Sequence, residues 1–176
     1  MDFFDVVNDR HSYRGEFLPD KISREDLEKI VITGLLAPSG CNKQTTEFVI
    51  VDDEKLLEQI RELHTMPAVQ TAVAVIICLI DRQPEPVYQN YSFQIEDCAA
   101  AVENILLAIA ALGYASVWID GALRVESKAE RLCKIINAAP GKIARILLPV
   151  GKAAEKTSQS VKKSFAQRAF FNKYSK

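Results

Sequence analysis

The sequence has few of the residues that build metal or thiol centres. Its 176 residues include only four cysteines and two histidines, and no two cysteines are spaced as C-x-x-C. This spacing argues against both a zinc site and a dithiol redox motif, and two separate histidines do not suggest a metal centre. We therefore expect no metal ion. Cys78 and Cys98 lie in apolar runs, which favours small buried hydrophobic side chains.

The sequence also lacks a segment typical of secretion or of a membrane span. Asp2 and Asp5 interrupt the first apolar residues, where a secretion signal would place a positively charged region followed by an apolar one. The alanine-rich stretch 98–112 is apolar, but it is too short and too interrupted to span a bilayer. We expect a cytoplasmic protein with no membrane partner.

The charge is nearly balanced over the whole chain but uneven along it. Residues 152–176 contain seven Lys or Arg and one Glu, a surplus of six, so the first 151 residues must carry −7 to give the formal net charge of −1. Such a tail could be a solvated extension, a nucleic-acid arm, or a segment that docks on an acidic surface or an anionic ligand. Its interleaved aromatic residues favour a segment that packs on something over a disordered one.

The stretch 97–113 predicts a core helix. Between residues 98 and 112 only Glu103 and Asn104 are polar, and a helix that is apolar nearly all round is normally buried on most of its faces. Gly113 stands where a left-handed residue would end the helix, and the alanines permit close approach of another helix.

The other periodicities predict helices and strands in mixed order. Helices are predicted at residues 2–7, 24–36, 53–63 and 126–137, and strands at 47–51, 72–80, 143–151 and in the β-branched run that follows the core helix. A mixture without strict alternation or repeats predicts an α+β layered domain. Its length is that of about one domain, in which residues 1–151 form the main body and residues 152–176 a basic extension of the same domain.

Two short stretches have compositions suited to an anionic or polar ligand. The first, residues 10–14 (RHSYR), places two guanidinium groups and a hydroxyl together, and such donors suit a phosphate. The second, residues 38–46 (PSGCNKQTT), contains turn formers and small hydrogen-bonding side chains typical of a ligand-binding loop. Each has a plain alternative, which is solvated surface arginines for the first stretch and a simple connector for the second.

Four motifs occur together in the order seen in one protein family. They are RHSYR at 10–14, APSGCNKQ at 37–44, the helix with Asn104 that leads through LGY at 112–114 to WIDG at 118–121, and LPVG at 148–151 before the basic tail. In this order and spacing, the sequence resembles the FMN-dependent nitroreductase family over nearly its whole length.

The resemblance implies a fold and an assembly. The family fold is a three-layer sandwich, in which a central mixed, largely antiparallel sheet is flanked by helices. The family forms an obligate homodimer with one FMN at each of two sites in the subunit interface. The resemblance places the alanine-rich helix against its mate across that interface, and it implies a C-terminal tail that wraps the partner subunit.

The resemblance also gives the motifs roles at a flavin. Arg10 and Ser12 would hold the FMN phosphate and ribityl chain, and Arg14 would lie near the N1/O2 edge of the flavin. The stretch at Asp120 and Gly121 matches the one whose backbone amide faces flavin N5, and loop 38–44 would reach the flavin from the partner subunit. The implied catalytic residues are Arg14, Asp120 and Gly121. The implied FMN contacts are Arg10, His11, Ser12, Arg14, Pro38, Ser39, Gly40, Asn42, Gln44, Trp118, Ile119, Asp120, Gly121 and, in the tail, Lys163 or Arg168.

The sequence departs from the family pattern at three points. Thr45 and Thr46 stand where Pro-Trp often follows the loop glutamine. The Asn and Lys that many members place before the second strand are absent, with only Gln70 nearby. The chain is also short, and it lacks much of the helical insertion that covers the site in longer members. We therefore expect an open flavin pocket that is contacted differently on one side.

Two functions from different classes follow. The first is a flavoenzyme that takes hydride from NADH or NADPH onto flavin N5 and passes electrons to a nitroaromatic, quinone or similar small acceptor. Because the cofactor carries this chemistry, it suits a sequence without a catalytic triad, metal cluster or paired carboxylates. The second is a non-catalytic flavin-binding protein or a nucleic-acid binder that uses the basic tail. The acidic body would repel nucleic acid, so we favour the enzyme and expect no nucleic-acid partner.

Overall fold

The chain folds into three layers, with one sheet between two layers of helices. The structure, a computed structural model, describes residues 2–174. The helices are α1 (Phe3–Asp9), α2 (Arg24–Leu35), α3 (Glu54–Arg61), α4 (Pro67–Gln70), α5 (Gln94–Ala111), α6 (Lys128–Ile135) and α7 (Phe165–Arg168). The strands are β1 (Glu47–Val51), β2 (Ala74–Asp81), β3 (Ala115–Ser116) and β4 (Lys142–Gly151), and there are 3₁₀ turns at Gly40–Asn42 and Gly121–Arg124.

The sheet has the strand order β1-β2-β4-β3, and each neighbouring pair is antiparallel. A single parallel bridge between Ser12 and Ser116 attaches the N-terminal stretch to the outer edge of β3. The predicted α+β sandwich with a largely antiparallel sheet is therefore confirmed.

Strand β2 joins the two hydrophobic cores. Its alternate side chains point to opposite faces, so Ile77 packs in the core beneath α3, α4 and α6, whereas Ile76 packs in the core beneath α2 and α5. Both side chains are fully buried. Because helices cover both faces, β2 is apolar at nearly every position, which is unusual for an antiparallel strand.

The predicted core helix is confirmed as α5, and it begins three residues earlier than predicted. The side-chain amide of Gln94 pairs with the backbone N–H and carbonyl of Asp81, at 3.1 and 2.9 Å, and so fixes an additional first turn. Glu96 and Asp97 lie in that turn, where the positive end of the helix dipole favours acidic side chains. Gly113 follows the helix with φ of +79°, the left-handed conformation that its position indicated.

The strand after α5 is shorter than predicted. Only Ala115–Ser116 pairs continuously with β4, and Ile119 alone rejoins it through two hydrogen bonds with Leu147. The single-turn helices α4 and α7 were not predicted, because four residues are too few to show a helical period. The other predicted helices and strands are present, with ends that differ by a few residues.

Cys78 and Cys98 are buried between β2 and α5, as predicted. Both are free thiols, and their sulfur atoms form a hydrogen bond. This bond, together with burial, strongly raises the pKa of the Cys78 thiol. Cys78 therefore stays protonated at neutral pH and behaves as part of the core.

The close contact between α2 and α5 can be tested at Gly34. A Cβ atom added there would lie 2.7 Å from Ile105 Cδ1 and 3.2 Å from the Ala101 carbonyl oxygen. We predict that Gly34→Ala lowers the free energy of unfolding by about 1–3 kcal/mol, as overpacking does, although Ala is the better helix former by about 1 kcal/mol. Urea denaturation measures the change. Glu28→Ala, at an exposed position of the same helix, is the control, and a Gly34→Ala variant as stable as this control would contradict the tight contact.

Candidate functional site

The N-terminal stretch 10–14 lies along the outer edge of β3. Ser12 bridges to Ser116, and the Tyr13 N–H donates to the Ser116 carbonyl oxygen at 2.9 Å. The Tyr13 side chain is buried in the core, whereas Ser12 is half-buried and Arg14 is exposed. The tyrosine therefore anchors the stretch and leaves its polar neighbours at the surface.

Two buried polar atoms in or beside this stretch have no hydrogen-bond partner. They are Arg10 Nε and Ser116 Oγ. Arg10 Nε lies 3.5 Å from Glu103 Oε1, an ion pair that lacks hydrogen-bond geometry. An unpaired buried polar group costs about 1–3 kcal/mol, so such atoms are rare and often mark a place where another group binds. Within residues 2–174, only Thr46 Oγ1 and Arg61 Nε share this state.

The second predicted stretch, residues 38–46, is an irregular loop. Cys41, Asn42 and Gln44 have left-handed φ angles of 48°, 55° and 52°, which residues other than glycine seldom adopt. The Gln44 N–H donates to Ser39 Oγ at 3.0 Å and closes the base of the loop. The side chains of Asn42 and Gln44 are exposed, so the loop presents two amide groups to its outside.

The Asp120 carboxylate is held by two arginines. Arg124 donates to both of its oxygens at 2.6 and 2.7 Å, and Arg145 Nη2 lies 3.4 Å away. The hydrogen bond and charge of Asp120 raise the pKa of Arg124. Gly121 follows and opens a 3₁₀ turn, where a Cβ atom would meet no other atom within 4 Å. The arginines therefore fix this turn, and Gly121 leaves open space beside its backbone.

Trp118 and Ile119 lead into this turn and pack in the cores. Ile119 is buried beneath α6, and the half-buried Trp118 packs against the core of α2 and α5. Their role in a site is therefore to fix the backbone that reaches Asp120 and Gly121.

Two tail contacts that sequence reasoning missed fasten the start of the tail to the N-terminal stretch. The His11 ring bonds Thr157 Oγ1 through Nε2 at 2.7 Å, and its Nδ1 bonds a backbone carbonyl at 2.7 Å. The side-chain amide of Gln159 donates to the carbonyl oxygens of Asn8 and Arg10, at 3.0 and 2.8 Å. No sequence pattern indicates these bonds, because they join residues from the two ends of the chain.

Lys163 and Arg168, the two predicted tail contacts, are both exposed. Lys163 is four residues beyond Gln159, so an extended chain of about 3.5 Å per residue keeps it within about 14 Å of that residue. Arg168 is nine residues beyond Gln159 and lies on α7. Of the two, Lys163 is the one that the Gln159 bonds keep near Arg10.

Hydrogen bonds join the N-terminal stretch to Ser116 at the sheet edge and to the start of the tail. Loop 38–46 stands apart, because among the described residues no hydrogen bond joins it to the N-terminal stretch. Gln70 is the residue nearest to the place where many family members have Asn and Lys. Its side-chain amide donates to the carbonyls of Arg61 and His64 at 2.8 and 2.9 Å. It therefore closes the end of α3.

None of the helices within residues 2–174 is both long enough and apolar enough to cross a membrane. That part of the chain also contains no group of three or more His, Cys, Asp or Glu placed to hold a metal ion.

Comparisons with known proteins agree with this fold. The model of the nitroreductase family matches residues 7–74 and 71–152. A protein of Archaeoglobus fulgidus that carries the provisional name NADH dehydrogenase/NAD(P)H nitroreductase is 38% identical over 101 residues, which span 56% of each chain. A protein of Methanothermobacter thermautotrophicus with the same provisional name is 29% identical over 88% of this chain and 79% of its own. The FMN-dependent nitroreductase of Clostridium difficile superposes with a TM-score of 0.81 at 21% identity, over 97% of this chain and 99% of its own.

The fold is a layered α+β domain. At the edge of its sheet the N-terminal stretch 10–14 meets the start of the tail, and together they form an open polar surface, the polar corner. The family model spans nearly all of that domain. The chain belongs to the nitroreductase family.

The Gln159 bonds generate a prediction about the tail. Each net hydrogen bond contributes about 1 kcal/mol, so we predict that Gln159→Ala speeds tryptic cleavage after Lys162 or Lys163 by about tenfold. Mass spectrometry of the first fragments measures the rate. Ser158→Ala changes an exposed neighbour and is the matched control. Equal cleavage rates in the two variants would show that the bonds do not hold the tail.

Proposed function

We propose that the protein is an FMN-dependent oxidoreductase that transfers hydride from NADH or NADPH to a small acceptor such as a nitroaromatic or a quinone. The observation that carries the proposal is the presence beside Ser12 of two buried atoms without a hydrogen-bond partner, Arg10 Nε and Ser116 Oγ. A phosphate joined to a polyol chain supplies the acceptors and hydroxyls that such groups bind. The family membership and the nicotinamide co-substrates in the names of the two relatives support the same reading.

The residues around this corner have distinct parts in the proposal. Arg10, Ser12 and Lys163 hold the phosphate end, and the bonds of Gln159 keep Lys163 within reach. Arg14 provides a fixed positive charge for the N1/O2 edge of the flavin. Its side chain is exposed next to the part of the N-terminal stretch that pairs with β3. When bound, FMN supplies two-electron chemistry by accepting hydride at flavin N5.

The open turn at Gly121 is the proposed approach to flavin N5. Its missing side chain leaves the backbone accessible, and the Asp120 carboxylate is engaged by Arg124 and Arg145. Both carboxylate oxygens are engaged by guanidinium groups, which fix the turn. The protein therefore contributes position and charge at this point, and it needs no acid or base.

We predict different effects for the two arginines. Arg10→Ala removes a phosphate contact, so the Kd for FMN should rise by about 10–100-fold, the loss expected for charge-assisted hydrogen bonds. Arg14→Ala removes a charge that matters most when the flavin is reduced and anionic, so the flavin reduction potential should fall by about 30 mV or more.

Fluorescence titration and redox titration measure the two quantities, with the unchanged protein as reference. Riboflavin, which lacks the phosphate, is the matched ligand and should bind the Arg10→Ala variant as it binds the unchanged protein. Failure of the unchanged protein to take up FMN would refute the proposed function. Equal effects of both substitutions on both quantities would refute the assignment of the two arginines.

The proposal includes a homodimer whose sites use both chains. Apolar side chains of α1 and α2 are exposed in the single chain, among them Phe3, Phe4 and Leu35. Strand β1 has a neighbour on one side only, and beside it a groove of about 440 Å³ runs along α2. Large apolar surfaces of this kind are typical of obligate interfaces.

The tail supplies a second reason for the dimer. Val161 is fully exposed, and Phe165 and Phe171 are 64% and 82% exposed. We propose that residues 160–174 pack on the partner subunit and remain part of the same domain as residues 1–151. In this arrangement loop 38–46 reaches the partner's flavin, which is consistent with its separation from the N-terminal stretch of its own chain. A cytoplasmic location stays a prediction from the sequence.

Truncation after Gly151 tests the role of the tail. We predict that the truncated protein loses FMN binding and dimerisation together, because it lacks both the basic residues and the exposed aromatic ones. Light scattering and flavin content are the measurements. The double variant Lys162→Ala/Lys163→Ala keeps the aromatic residues, so it should stay dimeric while it binds FMN more weakly. A truncated protein that remains dimeric and fully flavinated would remove the tail from the site.

A further inference from the structure

Asp97 is a buried carboxylate without a cationic partner. It lies in the first turn of α5 and is 6% exposed, and no ion pair within the described part of the chain includes it. A buried charge is costly unless hydrogen bonds satisfy it. Here one carboxylate oxygen accepts the Gly40 N–H at 2.8 Å, and the other accepts the Thr45 hydroxyl at 3.5 Å. The position near the helix N-terminus favours the negative charge further.

The two donors lie on opposite sides of the strained part of the loop. Gly40 precedes and Thr45 follows the residues with left-handed backbone angles, which are Cys41, Asn42 and Gln44. Each such residue costs about 1–2 kcal/mol and persists only where its surroundings hold it. A single carboxylate thus ties both ends of the strained segment to the start of the core helix.

Other hydrogen bonds lie within the loop itself. Ser39 Oγ accepts the Gln44 N–H at 3.0 Å, and the Asn42 and Lys43 N–H groups donate to the Ser39 and Gly40 carbonyl oxygens at 2.9 and 3.0 Å. Asp97 lines a cavity of about 200 Å³ with Pro38, Ser39 and Gln44. Its carboxylate therefore lies on the inner side of the loop, whose outer side chains are exposed. Among the residues that the structure describes, no other hydrogen bond joins the loop to a charged side chain of a helix.

We propose that Asp97 is the positioning residue of the flavin-contacting loop. By fixing Gly40 and Thr45, it holds Asn42 and Gln44 in the conformation that meets the flavin ring, without contacting the cofactor itself. This inference rests on the proposed function, in which the loop reaches the flavin of the partner subunit. It predicts that the loop is already in its binding conformation before the cofactor arrives.

The test uses the full-length dimer and three variants. Asp97→Ala removes both acceptors, Asp97→Asn keeps an oxygen for Gly40, and Thr45→Val removes only the hydroxyl. Glu96→Ala is the matched control, because Glu96 is the exposed acidic neighbour in the same helical turn. Hydrogen exchange at the Gly40 amide in the flavin-free protein reports on the loop, and titrations with FMN and riboflavin report on binding.

We expect Asp97→Ala to speed exchange at Gly40 by at least tenfold and to raise the Kd for riboflavin and FMN by the same factor, about tenfold. The ratio of the two constants should stay unchanged, because the phosphate site is untouched. Asp97→Asn should retain most of the Gly40 protection and rescue binding. Thr45→Val should raise both constants by about threefold, and Glu96→Ala should change neither quantity.

Three results would overturn the inference. They are an Asp97→Ala variant that binds riboflavin normally, one that loses affinity for FMN alone, and unchanged exchange at Gly40. If Asp97→Ala does not fold, the Thr45→Val variant decides, and normal riboflavin binding by it counts against the proposal. If the unchanged protein binds no flavin, the proposed function fails, whereas the exchange measurement still decides whether Asp97 holds the loop.

Discussion

Burial of β2 on both faces is the constraint on which the rest of the structure depends. Each fully buried aliphatic side chain contributes about 1.5–3 kcal/mol, and those of β2 do so alternately in the two cores. A shift of one residue in its pairing would exchange the two sets of side chains. The register therefore fixes both layers of helices at once, including α5 above the sheet.

The polar corner and the loop follow different rules from these cores. Arg10 Nε and Ser116 Oγ, which lack hydrogen-bond partners, and the three left-handed residues in the loop each reduce stability. They lie at the edge of the sheet and at the start of α5, where rigid elements on one side keep them in place. Such local violations are typical of binding sites, because a ligand supplies the partners that the chain lacks.

The core was predictable from the sequence because its signals are strong and local. Nearly continuous apolar runs predicted α5 and β2, and the left-handed position of Gly113 followed from its place after the helix. The short β3 was harder, because its length depends on pairing with a distant strand and with the N-terminal stretch. Resemblance identified the groups of the candidate site. It could not show that Gln159 bonds to a residue 149 positions away, or that Asp97 accepts a hydrogen bond from the loop. Neither bond produces a periodic pattern in the sequence.

The bonds of Gln159 also bear on how the protein is made. Arg10 is synthesised 149 residues before Gln159, and the polar corner needs both. At about 5–20 residues per second, the interval between them is roughly 7–30 s. Throughout that time the core elements up to β4 are synthesised while the corner has no tail. The polar corner can therefore form only after the chain has been synthesised beyond β4.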